Sequence, residues 1–289
     1  MKILVLGSSG QLGRCLQDQL KNPESEIIFS SRTLIDIRDF HETKKTISEI
    51  QPNIIINAAA YTAVDEAEKN FQEADVINHL AVMNIATICK NLNIFLIHIS
   101  TDYVFNGYSQ TPYTESSLTD PKTIYGKTKL DGENAILKSN CNYAIIRTSW
   151  VFSEYGDNFL KTMMKLSAKK NKILVVDDQV GCPTYAQDLA KAISLLLPLI
   201  KKKVKINTIY NFCGDKEISW YKFAVFIFST MKQLGHKVPK HVIKAKSIHM
   251  NFVADRPYFS VLNSSKFCNQ FKTKPSNWEI AVNKIISNL

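Results

Sequence analysis

Strands and helices alternate along the chain from the start, which predicts an α/β fold: a doubly wound parallel sheet with a smaller, interleaved C-terminal domain. Two further observations support this. The apolar runs are continuous rather than alternating, as expected of strands buried on both faces of a parallel sheet. The first run also passes directly into a glycine-rich turn, Gly7-Ser8-Ser9-Gly10-Gln11-Leu12-Gly13, and then into a helical pattern.

Taken in order, the first strand is expected over 3–6, followed by a helix through Leu16 and Leu20. Short strands follow at 27–29 and 54–57. A helical stretch from about 73 to 92 leads to a strand at 95–100. A helix carrying Tyr125 and Lys129 precedes a strand at 143–147. After Trp150 the order loosens. Helices are expected over 156–170 and 185–197, with a strand at 173–176 between them and another at 209–212 returning to the main sheet. Ser219 is the expected N-cap of a helix carrying Trp220, Phe223 and Phe226. The remaining residues are partly apolar with little periodicity.

Composition narrows the function. A chain of 289 residues at 45% hydrophobic can bury one large core or two unequal ones. The net charge of +10 and pI of about 9.2 raise the question of nucleic acid. The lysines cluster at 161–172, 201–205 and 237–246 without interleaved aromatics or a nucleic-acid module, so they read as solvated faces. Such a surface still favours the approach of anionic small molecules, nucleotides included. No apolar run reaches membrane-spanning length, 223–228 being far too short. The opening residues lack the basic region, apolar stretch and cleavage site of a signal peptide, and a soluble, cytoplasmic protein is expected. The six cysteines (Cys15, Cys89, Cys141, Cys182, Cys213, Cys268) have no zinc-like spacing and read as small buried hydrophobes.

The glycine turn joins a strand to a helix, where backbone N–H groups at a helix N-terminus suit the pyrophosphate of a dinucleotide. Its glycines stand at 7, 10 and 13, one residue wider at the start than the usual G-x-G-x-x-G. A Rossmann-type NAD(P) domain is therefore expected over 1–152 and about 184–213, leaving about 153–183 and 214–289 for a substrate domain. The second strand ends in Phe29-Ser30-Ser31-Arg32-Thr33, with no carboxylate before Asp36. An arginine there accommodates a ribose 2′-phosphate, which favours NADPH and leaves NADH as the alternative.

Tyr125 and Lys129 stand one helical turn apart on one face, and Thr101 lies at the end of an apolar strand. A free phenol titrates near ~10, and a nearby ammonium lowers that value by favouring phenolate. A hydroxyl at Thr101 would hold a carbonyl oxygen where charge develops. The three residues form equipment for moving a proton onto a carbonyl.

These features resemble the extended short-chain dehydrogenase/reductases: the glycine loop at 7–13, Asn57-Ala58-Ala59-Ala60 after a strand, and Tyr125-x-x-x-Lys129. Longer stretches are most similar to the dTDP-4-dehydrorhamnose reductase family. They include Asn57 to Glu68, Ser100-Thr-Asp-Tyr-Val-Phe105, Arg147-Thr-Ser-Trp-Val-Phe152, Asp178 to Thr184 and Asp255-Arg-Pro257. The resemblance spans essentially the whole chain. It implies NADPH-dependent reduction of dTDP-4-dehydro-β-L-rhamnose at sugar C4, the last step in making dTDP-L-rhamnose for cell-surface polysaccharide. By the same match Tyr125 protonates the oxygen and Lys129 also holds the nicotinamide ribose. Gly10, Gln11 and Leu12 meet the pyrophosphate, Asp36 and Ile37 the adenine side, and Ala58, Ala59 and Ala60 the middle of the cofactor. Val64, Asp102, Tyr103 and Trp150 line the sugar pocket, and Arg256 is the candidate for the substrate's diphosphate, with a structural ion pair as the alternative.

Two departures bear on these expectations. Members of the family that bind magnesium, at a site associated with dimerisation, use glutamates where this chain has Cys15, Gln187 and Asn288, so no such site is expected. Subunit number stays open between monomer and homodimer. The arginine expected soon after Arg256-Pro257 is Val261. Among competing functions, sugar-nucleotide dehydratases follow the hydroxyl residue with Asp-Glu, whereas Asp102 is followed by Tyr103. A 4-epimerase, a reductase of another 6-deoxy-4-keto sugar nucleotide, and a non-catalytic NADP-binding partner like the regulatory subunit of methionine adenosyltransferase are the alternatives.

Overall fold

The computed structural model describes residues 1–21, 25–204 and 206–288; Lys205 of the second lysine cluster and Leu289 at the end of the expected substrate domain lie outside the described residues. Among the described residues six strands form the central sheet: β1 (Lys2–Leu6), β2 (Glu26–Ser30), β3 (Ile54–Asn57), β4 (Phe95–Thr101), β5 (Asn142–Thr148) and β6 (Thr208–Asn211). Their spatial order is β6-β5-β4-β3-β1-β2, with every pairing parallel. The chain leaves β1 for β2 on one side and returns to β3 on the other. A crevice opens at such a switch point, outside the C-terminal ends of the strands.

Adjacent residues of each strand serve opposite faces, which is why the apolar runs are unbroken. Ile3, Val5, Ile54 and Ile56 pack with Leu12, Leu16, Leu189 and Ile193 from helices Gln11–Gln19 and Ala186–Lys201. Leu4, Leu6 and Ile55 pack on the other side with Ile47, Val82 and Ile85 from helices Phe40–Ile50 and Ala81–Leu92. A third cluster gathers Phe152, Leu160, Phe223, Trp278 and Val282.

Several elements depart from expectation. Helix Phe40–Ile50 was not foreseen because it buries only Thr43 and Ile47. Its signal was the cap: Asp39 accepts from Glu42 N, with Glu42 in the first turn. The stretch expected as one helix over 73–92 passes through a π turn at Val76–Leu80. Strand Lys172–Val176 pairs in parallel with His241–Ala245, too short and polar to stand out. Two helices, Ser265–Phe271 and Trp278–Ser287, occupy the region that lacked periodicity. The Ser219 cap forms as expected, accepting from Lys222 N at the head of Trp220–Gln233. All six cysteines are free and buried. No helix among the described residues is long and apolar enough to cross a membrane.

Candidate active site

The glycine turn is shaped by close backbone approach. Gly7 has φ +78°, and a Cβ there would stand 2.6 Å from Ala59 N. Gly13 packs its Cα face on the backbone of Gly7 and Ser8, so the first helix crosses tightly over β1. Gly10 is the N-cap of helix Gln11–Gln19 and has no side chain with which to satisfy the first-turn N–H groups. The turn borders a cleft of about 230 Å³ lined by Gly7, Gly10, Ala58, Ala59 and Ala60, and by Arg32, Asp36, Ile37 and Arg38, while Gln11 and Leu12 of the first helical turn line the adjoining cavity. That is the donor set and open space a pyrophosphate needs.

Arg38 was missed in the sequence. Its Nε and Nη2 bond both carboxylate oxygens of Asp36, at 2.9 and 2.5 Å, and those hydrogen bonds hold the Asp36 carboxyl down at about 2. Arg32 Nε is 3.5 Å from Asp36, with its side chain 64% exposed. Two guanidiniums therefore flank one carboxylate at this end of the cleft.

A second cavity of about 540 Å³ shares Gly10, Ala58 and Ala60 with the first, so the two form one continuous groove. It is lined by Gln11, Leu12, Val64, Thr101, Asp102, Tyr103, Tyr125, Lys129 and Trp150. A larger cavity of about 940 Å³ lies at the opposite ends of the strands, beside Met1, Asn53 and Phe95, away from these groups.

Thr101 ends β4, and its hydroxyl both accepts from Tyr103 N at 3.2 Å and donates to Asp102 Oδ1 at 3.0 Å. Helix Ile124–Ser139 starts where Thr123 Oγ1 accepts from Gly126 N at 3.0 Å. Gly126 has no room for a Cβ against the Tyr103 carbonyl, so this helix docks directly on the turn after β4. The Tyr103 and Tyr125 rings meet edge to face, 5.5 Å apart at 72°.

Lys129 is 1% exposed. Its Nζ donates to Ile99 O at 2.6 Å and lies 3.3 Å from His98 Nε2. Burial pushes the amine down to about 8, partly offset by Glu133. Glu133 is itself buried and bound by Arg147 Nη2 at 2.6 Å and Ser100 Oγ at 2.5 Å. Tyr125 corrects the expectation of a lowered phenol: burial pushes it up to about 12, with the Thr101 hydroxyl as the opposing influence. In the protein alone desolvation dominates, and the Asp102 carboxylate pushes the phenol in the same direction.

Asp102 is 2% exposed and burial raises its carboxyl to about 6. The Ser260 hydroxyl lies near enough to ease this only in part; Asp102 Oδ2 and the Thr148 hydroxyl are buried without a well-formed hydrogen bond, and both residues line the cavity. Buried polar atoms are rarely left so, and a polar ligand in the groove would satisfy them. Trp150 has φ +48° and lies flat on Trp220, which also lines the cavity. Trp220 read in the sequence only as a helix residue. Gln11 Oε1 accepts from Asn158 Nδ2 at 2.9 Å and Ser153 Oγ at 3.1 Å, tying the glycine loop to the 153–158 loop.

Arg256 stands behind the groove wall: its guanidinium lies against the Tyr103 phenol, and its buried Nε has no hydrogen-bond partner among the described residues. Its Nη2 bonds Asp65 Oδ2 at 2.6 Å, and Asp65 also accepts from Val253 N and Ala254 N, clamping this segment to helix Val64–Ala67. Val261 is buried in an apolar cluster with Phe105 and Tyr113. Of the positions matched to magnesium ligands, Cys15 lies in the core, Gln187 Nε2 donates to Gln19 Oε1 at 3.3 Å, and Asn288 ends the last helix.

A family model described as RmlD substrate binding domain matches residues 1–289. The chain is 37% identical over 292 residues to a dTDP-4-dehydrorhamnose reductase of Aggregatibacter actinomycetemcomitans, covering 98% of each. It is 36% identical over 289 residues to one from Sinorhizobium fredii, covering 99% of this chain and 97% of that one. A crystal structure of dTDP-4-dehydrorhamnose reductase from Bacillus anthracis in complex with NADP superposes with a TM-score of 0.90 at 34% identity, covering 100% of this chain and 99% of that one.

Proposed function

The chain belongs to the RmlD substrate binding domain family, and from that premise we infer that it reduces the 4-keto group of dTDP-4-dehydro-β-L-rhamnose with NADPH. The product is dTDP-L-rhamnose, and the reaction is the last step of its synthesis. One observation carries this reading: Thr101, Tyr125 and Lys129 line the same groove as the glycine turn, at the C-terminal ends of the strands.

Residues 1–152 with about 184–213 hold the cofactor, and about 153–183 with 214–289 face the sugar nucleotide. The N–H groups after Gly10 hold the pyrophosphate, and Arg32 takes the 2′-phosphate. When bound, NADPH supplies the hydride to sugar C4. The hydroxyls of Thr101 and Tyr125 fix the carbonyl oxygen, and Tyr125 gives it the phenolic proton. Lys129 in its charged form stabilises the phenolate left behind and holds the nicotinamide ribose. Asp102 Oδ2 and Thr148 Oγ1 find partners on the sugar, beside Val64, Tyr103 and Trp150. The reaction takes place in the cytoplasm, with the chain acting as monomer or homodimer.

The test is whether the purified protein oxidises NADPH only when the 4-keto sugar nucleotide is present. Cofactor binding without turnover of the authentic substrate would defeat this reading and favour a non-catalytic partner role.

A further inference from the structure

Asn57 and His98 stand opposite each other where β3 pairs with β4, and both side chains are fully buried. The reduction described above uses neither. Ala59 N–H donates to Asn57 Oδ1 at 3.2 Å, so the NH₂ end of that amide faces His98 Nδ1, also at 3.2 Å. Nδ1 therefore accepts. Burial, with Lys129 nearby, keeps the imidazole neutral, so its single proton belongs on Nε2. That N–H points at Lys129 Nζ, 3.3 Å away. It finds a lone pair there only when the amine is neutral; against an ammonium, two donors would face each other. To accept an ammonium, His98 must carry its proton on Nδ1 and Asn57 must turn its amide over, giving up the bond from Ala59 N–H.

We propose that Asn57 and His98 form a tautomer relay coupled to Lys129, and that they are positioning residues for the reduction. Anchored by Ala59, a residue that lines the cofactor cleft, the relay favours His98 Nε2–H and so biases Lys129 toward the neutral amine. The other charges near Lys129 leave this bias in place. Glu133, one turn along the same helix, favours the ammonium, but it is shared with Arg147 and only partly offsets burial. Tyr125 lies one turn back, and Asp102 sits beyond Thr101. Asp75 and His79 gather with Asp131, which points away from Lys129 on the helix.

The relay rests on the reductase reading only for its effect on rate, so the two can fail separately. In the wild-type protein without cofactor, ¹⁵N-histidine NMR should show His98 changing from Nδ1–H to Nε2–H as pH rises through the titration of Lys129, near 8. A single tautomer from pH 6 to 10 would overturn the relay whether or not the enzyme turns over. His98→Gln presents an amide that can turn freely, and should move the alkaline limb of kcat/KM upward by about one pH unit. Asn57→Asp should lock His98 in the Nδ1–H form and move the limb the same way. A fall in rate in both variants with the limb unmoved would mean a structural role only and defeat the proposal. If His98→Gln does not fold, the wild-type titration and Asn57→Asp decide the matter.

Discussion

Trp150 lies face to face on Trp220, with ring centroids 3.4 Å apart and planes within 3°. The contact joins the end of the central sheet to a helix 70 residues later, and it supports a tryptophan held in the left-handed backbone region. Both rings line the catalytic groove. Trp220→Ala is expected to raise KM for the sugar nucleotide roughly fivefold, with a smaller effect on kcat, because an aromatic stack of this kind contributes about 1 kcal/mol beyond its buried area. Steady-state kinetics at saturating NADPH would show it; an unchanged KM removes Trp220 from the substrate pocket.

Tyr125→Phe keeps the ring packed on Tyr103 and removes only the hydroxyl. Turnover should fall by roughly a hundred- to ten-thousandfold, the range of general-acid contributions. NADPH affinity, measured by calorimetry, should stay within a factor of a few. Wild-type turnover in this variant would assign the proton to another group.

Asp102 makes stability depend on pH in a predictable direction. The folded protein keeps its proton up to about pH 6, whereas an unfolded aspartate releases it near ~3.9. The native state therefore binds more protons in that window, and its stability falls as pH rises through it. Asp102→Asn removes this cost and should stabilise the protein by roughly 2–3 kcal/mol at pH 8 and hardly at all at pH 4, while lowering activity. Thermal unfolding of both proteins at the two pH values provides the comparison, and an equal shift at each would contradict it.

The glycines of the turn are not equivalent. Gly7→Ala combines a left-handed φ with a clash against the Ala59 backbone and should cost about 1–3 kcal/mol, several degrees in Tm, with weakened NADP binding. Gly10→Ala meets only the Gly7 carbonyl at 3.4 Å and should leave Tm nearly unchanged. Equal losses in the two variants would show that the strain lies elsewhere.

Arg32→Ala should weaken NADPH binding by about 1.5–3 kcal/mol, the worth of a charged hydrogen bond, and leave NADH binding unchanged. Arg38→Ala frees Asp36 from its strongest partner, and its carboxyl should titrate above the present value of about 2. Parallel losses for NADPH and NADH in Arg32→Ala would argue against recognition of the 2′-phosphate.

The sequence alone determined whatever depends on residues within a turn or a strand of one another. The buried runs, the glycine turn, the Ser219 cap and the one-turn spacing of Tyr125 and Lys129 are of this kind, because their period and capping chemistry are local. Tertiary structure decided the rest. Arg256 pairs with Asp65, 191 positions away, and Trp220 reaches Trp150 across the groove. His98 meets Asn57 and Lys129 only because β3 and β4 are neighbours and a helix covers them. Desolvation is likewise a property of the assembled fold, and it raises the phenol of Tyr125 and lowers the amine of Lys129. Spacing placed that phenol and amine on one helix face; burial set the proton affinity of each.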